Sequence, residues 1–250
     1  MKVIGVIPSR YASSRFPGKP LVDICGKPML WWVYQQAKKV KSLDEVIVAT
    51  DDMRIEEMCI ENQMNVMMTS KEHSTPTDRL YEVSTKTDGD VYIFIGGDEP
   101  LIDPQAIDTI VPKKDVPEMY VANAMTTIKT APEVIDFTNI KVVVNEENIG
   151  LYTSRSPLPY PKGGLDFEYK KFVGIGAFSR KALDFYYHTP KGKMERIEEC
   201  DLMRFIEHQI PIQFYNVDCR SISVDTPKDL EKVRELMTSK QSDTEKEIKA

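Results

Sequence analysis

Short apolar runs, separated by stretches of helical periodicity, restrict the fold of this chain more than any other feature. Residues 3–7 (Val-Ile-Gly-Val-Ile), 45–50 (Glu-Val-Ile-Val-Ala-Thr) and 91–95 (Val-Tyr-Ile-Phe-Ile) are such runs, with a shorter one at 65–68. Runs of this length without polar alternation fit strands buried on both faces. Between them, residues 28–40 space Met29, Trp32, Val33, Ala37 and Val40 at helical intervals, and 53–62 and 77–85 also read as helices. Pro28 suits a first turn and Thr77 an N-cap. A βα unit recurring every ~25 to 40 residues implies a doubly wound, mostly parallel Rossmann-like α/β sheet.

The second half is less regular. Residues 120–128 and 140–144 read as strands, and 149–153 follows the polar turn Asn145-Glu-Glu-Asn148, which suits an antiparallel hairpin. A Pro/Gly-rich loop spans 154–164. A strand at 172–178, helices at 180–187 and 198–208, a strand at 212–217 and a helix at 228–237 complete the expectation. Residues 1–238 are expected to form one domain, with 120–178 as a small β insertion that serves dimerisation. The polar stretch 239–250 is expected to fray or be disordered.

Ligands of open α/β sheets bind beyond the carboxyl ends of the strands. The first strand leads there into residues 7–21, IPSRYASSRFPGKPL, which carry Arg10, Arg15 and Lys19 among Ser13, Ser14 and Gly18. Three cations among small residues describe a site for a polyanion, most simply a triphosphate; the alternative is a solvated basic turn. A Walker loop is excluded by Ser13 and Pro20, and Gly174 and Gly176 lack the third glycine of a dinucleotide fingerprint. Asp98 follows one strand and Asp225 sits in Val224-Asp-Thr-Pro. Two such carboxylates can share Mg²⁺ with phosphate oxygens. Alone, Asp98 reads as a turn residue and Asp225 as a helix cap.

The net charge of −6, with no basic face, argues against a nucleic-acid partner. No apolar stretch reaches the ~18 residues of a membrane span. The chain enters a strand at once without signal-peptide architecture, so a cytoplasmic location is expected. Cys25, Cys59, Cys200 and Cys219 share no C-x-x-C spacing, and with three histidines a zinc or His-based metal site is not expected.

The stretch 7–21 closely resembles the opening of the CMP-Kdo synthetases, the 3-deoxy-manno-octulosonate (Kdo) cytidylyltransferases. The likeness continues through Gly26-Lys27-Pro28-Met29, Val46 to Asp51, Gly97-Asp98-Glu99-Pro100, Lys141-Val-Val, Ser154-Arg155, Gly174-Ile175 and Val224-Asp225-Thr226-Pro227. The resemblance implies a nucleotide-diphospho-sugar-transferase-type fold, usually dimeric. It also implies transfer of CMP from CTP to an acidic sugar, with Mg²⁺ and release of pyrophosphate. It puts Arg10, Ser13, Ser14, Arg15, Lys19, Thr77, Arg79 and Asp98 along the CTP site and the metal on Asp98 and Asp225. Arg10, Lys19, Asp98 and Asp225 carry the chemistry. Acceptor contacts fall to Arg155, Phe172, Gly176, Glu198, Asp201 and Leu202.

The departures concentrate in the acceptor half. Gly96 stands for glutamine, Phe172 for histidine, Gly176 for tyrosine, Leu202 for glutamine and Asp201 for glutamate, while Pro76 interrupts Ser-Gly-Thr-Glu-Arg. Lost polar partners predict a changed acceptor. Kdo, another 2-keto sugar acid or a phosphonate fit that pattern. A preference for another base and a catalytically silent nucleotide-binding paralogue are the further alternatives. Trp31 and Trp32 read as core and dimer contacts, and His73 as a surface residue beside the nucleotide loop. Arg155 either holds the acceptor carboxylate or pairs with an acidic neighbour.

Overall fold

The computed structural model describes residues 1–12, 16–164, 167–218 and 222–248, with side chains through Ser239. The apolar run at the start is β1 (Val3–Ser9), with Val3, Ile4, Val6 and Ile7 all buried. A two-residue hairpin, β2 (Asp23–Ile24) and β3 (Lys27–Pro28), leads into α1 (Met29–Lys38). Pro28 is the cap residue just before this helix rather than part of its first turn. Then come β4 (Glu45–Thr50), α2 (Met53–Glu61) and β5 (Val66–Met68). Asp52 caps α2 by accepting from the Arg54 N–H. Next are α3 (Pro76–Lys86) and β6 (Val91–Ile95). Thr75, not Thr77, is the N-cap of α3: its hydroxyl accepts from the Asp78 N–H, and the Asp78 carboxylate accepts from the Thr75 N–H. Pro76 takes the first helical position, where a missing N–H costs little.

The rest of the chain contains α4 (Pro104–Ile110), β7 (Val121–Thr127), α5 (Ala131–Ile135), β8 (Lys141–Val144), β9 (Gly150–Ser154) and β10 (Lys170–Ser179). After them follow α6 (Arg180–His188), α7 (Lys193–Glu198), α8 (Met203–Glu207), β11 (Gln213–Asn216) and α9 (Pro227–Ile248). The single helix expected over 198–208 is instead α7 and α8, broken where Glu199 turns left-handed at φ 48°. Helix α9 continues to Ile248, through the tail expected to fray. Glu, Lys and Gln there are good helix formers, which favours the continuation.

The sheet order is β11-β7-β10-β6-β1-β4-β5, with β8 on β10 and β9 on β8. β4 and β6 flank β1 in parallel, and β5 and β11 extend the sheet in parallel. β10 runs against both β6 and β7, so it alone is reversed along the main path. The β8–β9 hairpin is antiparallel, as its turn suggested. There Asn145 accepts from the Glu147 and Ile149 N–H groups, and Asn148 takes φ 59°.

Apolar side chains cover both faces. One core packs α1, α2 and α4 against the sheet through residues such as Leu30, Ile55 and Ile107, and the other packs α3, α6 and α8 through Leu80, Leu183 and Phe205. A third cluster joins Ile24 and Met29 to Val224, Leu230, Val233 and Met237, docking α9 on the β2–β3 hairpin. Full burial of such side chains is worth roughly 1.5–3 kcal/mol each, so α9 and the residues before it are firmly placed.

Candidate active site

The carboxyl ends of β1, β4 and β6 lie side by side, because the register pairs Ser9 with Thr50 and Val6 with Phe94. The loop after β1 closes on itself: the Gly18 N–H donates to the Tyr11 carbonyl at 2.9 Å. Gly18 has φ 73°, and a Cβ there would sit 3.1 Å from the Tyr11 ring, so glycine is required for this closure. Lys19 then begins a short 3-10 turn over Lys19–Leu21 that buries Pro20. After β6, the backbone of Gly97 presses on β1; a Cβ would meet the Pro8 carbonyl and the Ser9 hydroxyl at 3.1 Å.

These turns bring the two aspartates together around one cation. The Lys19 ammonium donates to Asp98 at 2.9 Å and to Asp225 at 3.2 Å. The Val224 N–H donates to the Asp98 carbonyl at 2.9 Å, so the residues before α9 are tied directly to the turn after β6. Both carboxylates remain about one-third exposed, open to the cleft.

The cleft has two joined parts. A cavity of about 250 Å³ is lined by Ser9, Arg10, Lys19, Arg79, Asp98 and Asp225, among others. A larger one of about 1180 Å³ shares Pro76, Phe94, Gly96, Asp98 and Asp225 with it. The larger part runs on over Phe172, Gly174, Asp201 and Leu202. The aspartate pair therefore stands where a small cationic compartment meets a roomy polar one. The Ser9 hydroxyl, buried in the cleft wall, has no hydrogen-bond partner among the described residues.

Not every expected residue points a free group into this cleft. Ser13, Ser14 and Arg15 lie outside the described residues, as does Cys219. Arg79 lines the smaller cavity but is buried and committed, donating to Asp51 at 3.0 Å and to the Thr69 hydroxyl. Thr77 lines the larger cavity rather than the smaller one, and its hydroxyl donates to Asp201 at 2.9 Å. Glu198 accepts from the Ser154 hydroxyl at 2.9 Å and the Arg155 N–H at 2.8 Å. The Arg155 guanidinium donates to the carbonyls of Glu198, Phe137 and Glu199. Neither Arg155, Glu198 nor Gly176 lines the larger cavity; the first two brace its wall. Of the expected acceptor residues, Phe172, Asp201 and Leu202 do line it. Sequence reasoning left out Phe94, Glu99, Asn123 and Thr126, which also line the larger cavity; the signal for Asn123 was a polar residue among the apolar Val121, Ala122, Ala124 and Met125.

Asp201 and Glu82 are among the perturbed carboxyls near the cleft. Burial pushes Asp201 above its ordinary value, against the hydrogen bond from Thr77 that favours the ionised form. Burial also works against ionisation of Glu82, but Lys86, the Ser70 N–H and His73 hold it down to about 2. His73, at the rim of the smaller cavity, contacts Glu82 at 2.5 Å and is not a loose surface residue. An ordinary glutamate titrates near 4.5, so this depressed group contributes stability above that pH and loses it as pH falls through about 2. Urea midpoints at pH 6 and pH 2.5 should show the wild type losing more stability than Glu82→Gln over that interval. Parallel losses in the two proteins would contradict the assignment.

Residues 4–243 match the cytidylyltransferase family. A 3-deoxy-manno-octulosonate cytidylyltransferase of Escherichia coli is 43% identical, over 94% of this chain and 96% of its own length. The chain belongs to the 3-deoxy-manno-octulosonate cytidylyltransferase family. It is a nucleotidyltransferase. The family member from Lawsonia intracellularis is 39% identical over 94% of both chains. A solved CMP-2-keto-3-deoxy-manno-octonic acid synthetase, complexed with CTP, superposes with a TM-score of 0.91 at 42% identity, covering 96% of this chain and 100% of its own. No helix among the described residues is long and apolar enough to cross a membrane.

Proposed function

We propose that this enzyme transfers the cytidylyl group of CTP to Kdo or a closely related acidic sugar, with Arg10, Ser13, Ser14, Arg15 and Lys19 holding the triphosphate. The observation that carries this reading is Lys19 set between Asp98 and Asp225 at the junction of the two cavities. Family membership supports CTP as the donor. In-line attack by an acceptor oxygen on the α-phosphorus needs no covalent nucleophile from the protein. What the residues supply is position and charge: cations on the leaving pyrophosphate, and an acceptor lobe that presents the oxygen.

A divalent cation fits the donor set. Asp98 and Asp225 offer hard carboxylate oxygens that already converge on a single positive charge, that of Lys19. These two would hold Mg²⁺, which when bound would neutralise charge on the phosphate oxygens. Among the described residues no set of three or more His, Cys, Asp or Glu side chains is gathered for a metal, which accords with an ion completed by phosphates and water.

Phe172 and Leu202 on the acceptor wall are apolar where the resembling family carries polar groups, which favours a related acid as the second reading. We also propose a cytoplasmic homodimer built through the β insertion, where Ile135, Phe137, Leu151, Tyr160 and Phe167 are exposed. The test is pyrophosphate release with Mg²⁺ and each of CTP, UTP and GTP, against Kdo, nine-carbon 2-keto acids and small phosphonates. Turnover with CTP and Kdo is expected. Turnover with another acid alone, or none at all, would overturn the choice of acceptor or the activity itself.

A further inference from the structure

Asn123 lies in β7 on the face that carries Val121 and Met125, both members of the apolar core beneath α3, α6 and α8. Alternation along a strand puts all three on one side of the sheet, so a polar residue here is out of pattern. It is 1% exposed. Its amide nitrogen is fully used, donating to the Ala124 carbonyl at 2.8 Å and to the Val173 carbonyl at 3.0 Å. Those two bonds fix which end of the amide is which, so the oxygen must face the other way. No described residue donates a hydrogen bond to that oxygen. Asn123 lines the larger cavity, beside Gly174, Thr126 and Phe172.

The neighbouring strand makes room for it. Gly176 of β10 is paired directly opposite Asn123, and a Cβ on Gly176 would stand 3.0 Å from the Asn123 oxygen. Any larger residue at 176 would occupy the space the amide now uses. The glycine there and the polar residue on β7 therefore form one local arrangement.

Its place in the sheet sets what it can touch. The Gly96 N–H donates to the Gly174 carbonyl at 2.8 Å, so the cleft floor passes from the end of β6 across β10 to β7. Asn123 is thus two strand spacings, ~10 Å, from the strand that leads to Asp98. An acceptor whose reacting oxygen meets the α-phosphate near Asp98 would bring its far end to Asn123. Among the described residues the buried side-chain atoms without a partner are the hydroxyls of Ser9 and Tyr120, so the Asn123 oxygen, which has no protein donor either, is open to the cavity, where a ligand donor can reach it.

We infer that Asn123 is a specificity-determining residue of the acceptor lobe, its side-chain oxygen accepting a hydrogen bond from a hydroxyl at the end of the sugar acid remote from the reacting oxygen. This rests on the cytidylyl-transfer reading given above. A site built to hydrogen-bond a hydroxyl discriminates against the analogue lacking it, because the buried partner is then left unpaired.

The test compares Kdo with its 8-deoxy analogue as acceptors for CTP, in the native enzyme and in Asn123→Ala. In the native enzyme kcat/KM should favour Kdo on the order of 10–100-fold. In Asn123→Ala the Kdo value should fall by a similar factor and the 8-deoxy value by much less, bringing the ratio near one while KM for CTP stays within about twofold. A native ratio near one overturns the inference without any variant, and covers the case in which Asn123→Ala fails to fold. An unchanged ratio in a folded variant, both acids losing equally, also overturns it and marks Asn123 as structural only. If the native enzyme turns over neither acid, it is the transfer reading that fails, and the inference falls with it.

Discussion

Replacing Asp98 with Asn should lower pyrophosphate release from CTP about 10³-fold, equivalent to ~4 kcal/mol of transition-state stabilisation. Asp98 is one of two carboxylates converging where the small cavity opens into the large one. The amide keeps the shape but loses the charge that would bind a divalent cation. Asp225→Asn should fall by a similar factor, and the double variant little further, because both groups serve one ion. Stability should change little, by under ~1 kcal/mol, since Asp98 is about one-third exposed and Lys19 keeps its bond to Asp225. Steady-state assays beside thermal melts separate the two effects. Activity of Asp98→Asn within tenfold of the wild type would remove Asp98 from the mechanism.

Arg204→Leu should destabilise the fold by about 3–5 kcal/mol, lowering the melting temperature by roughly 10 °C or more. The Arg204 guanidinium donates to both oxygens of Glu195, at 2.7 and 2.5 Å, and to the carbonyls of Tyr186 and Thr189. It also lies 3.7 Å from the Tyr186 ring centroid. Both partners are almost fully buried, so leucine strands a carboxylate that has no water to turn to. Replacing Glu195 with leucine as well should recover much of the loss, since the expensive species is the unpaired charge. The pair joins α7 to α8 across the turn that presents Asp201 and Leu202 to the larger cavity, the proposed acceptor lobe. KM for the acceptor should therefore rise more than KM for CTP. Equal melting temperatures for Arg204→Leu and the wild type would refute the buried-pair account.

The strands that build the cleft were legible because burial on both faces leaves a plain record: β1, β4 and β6 are continuous apolar runs. The aspartates were legible as chemistry but not as a pair. Their meeting depends on the Val224–Asp98 backbone bond and on α9 docking against Ile24 and Met29, contacts between residues far apart in the chain. Arg79 and Arg155 show the opposite failure. Both were expected to contact a ligand, yet one donates to Asp51 and the other to three carbonyls, partners that no local pattern names. The α3 cap could have been read: Thr75 with Asp78 three residues on is a capping box, and Pro76 suits the position between. The break after Glu198 could not, because Glu199 adopts a left-handed backbone with no glycine or asparagine to announce it. Asn123 was only partly legible: a polar residue among apolar ones stands out, but nothing local shows the cavity beside it.

Cytidylyl transfer beside Lys19, Asp98 and Asp225 is distinguished from hydrolysis by which phosphorus of CTP is attacked and what is joined to it. Phosphorus NMR of CTP, Mg²⁺ and Kdo with the native enzyme reads this directly. The CTP signals should be lost, with one new phosphodiester resonance and pyrophosphate appearing in equal amounts, and only when the acid is present. CDP with free phosphate, or CMP formed without an acceptor, would contradict it.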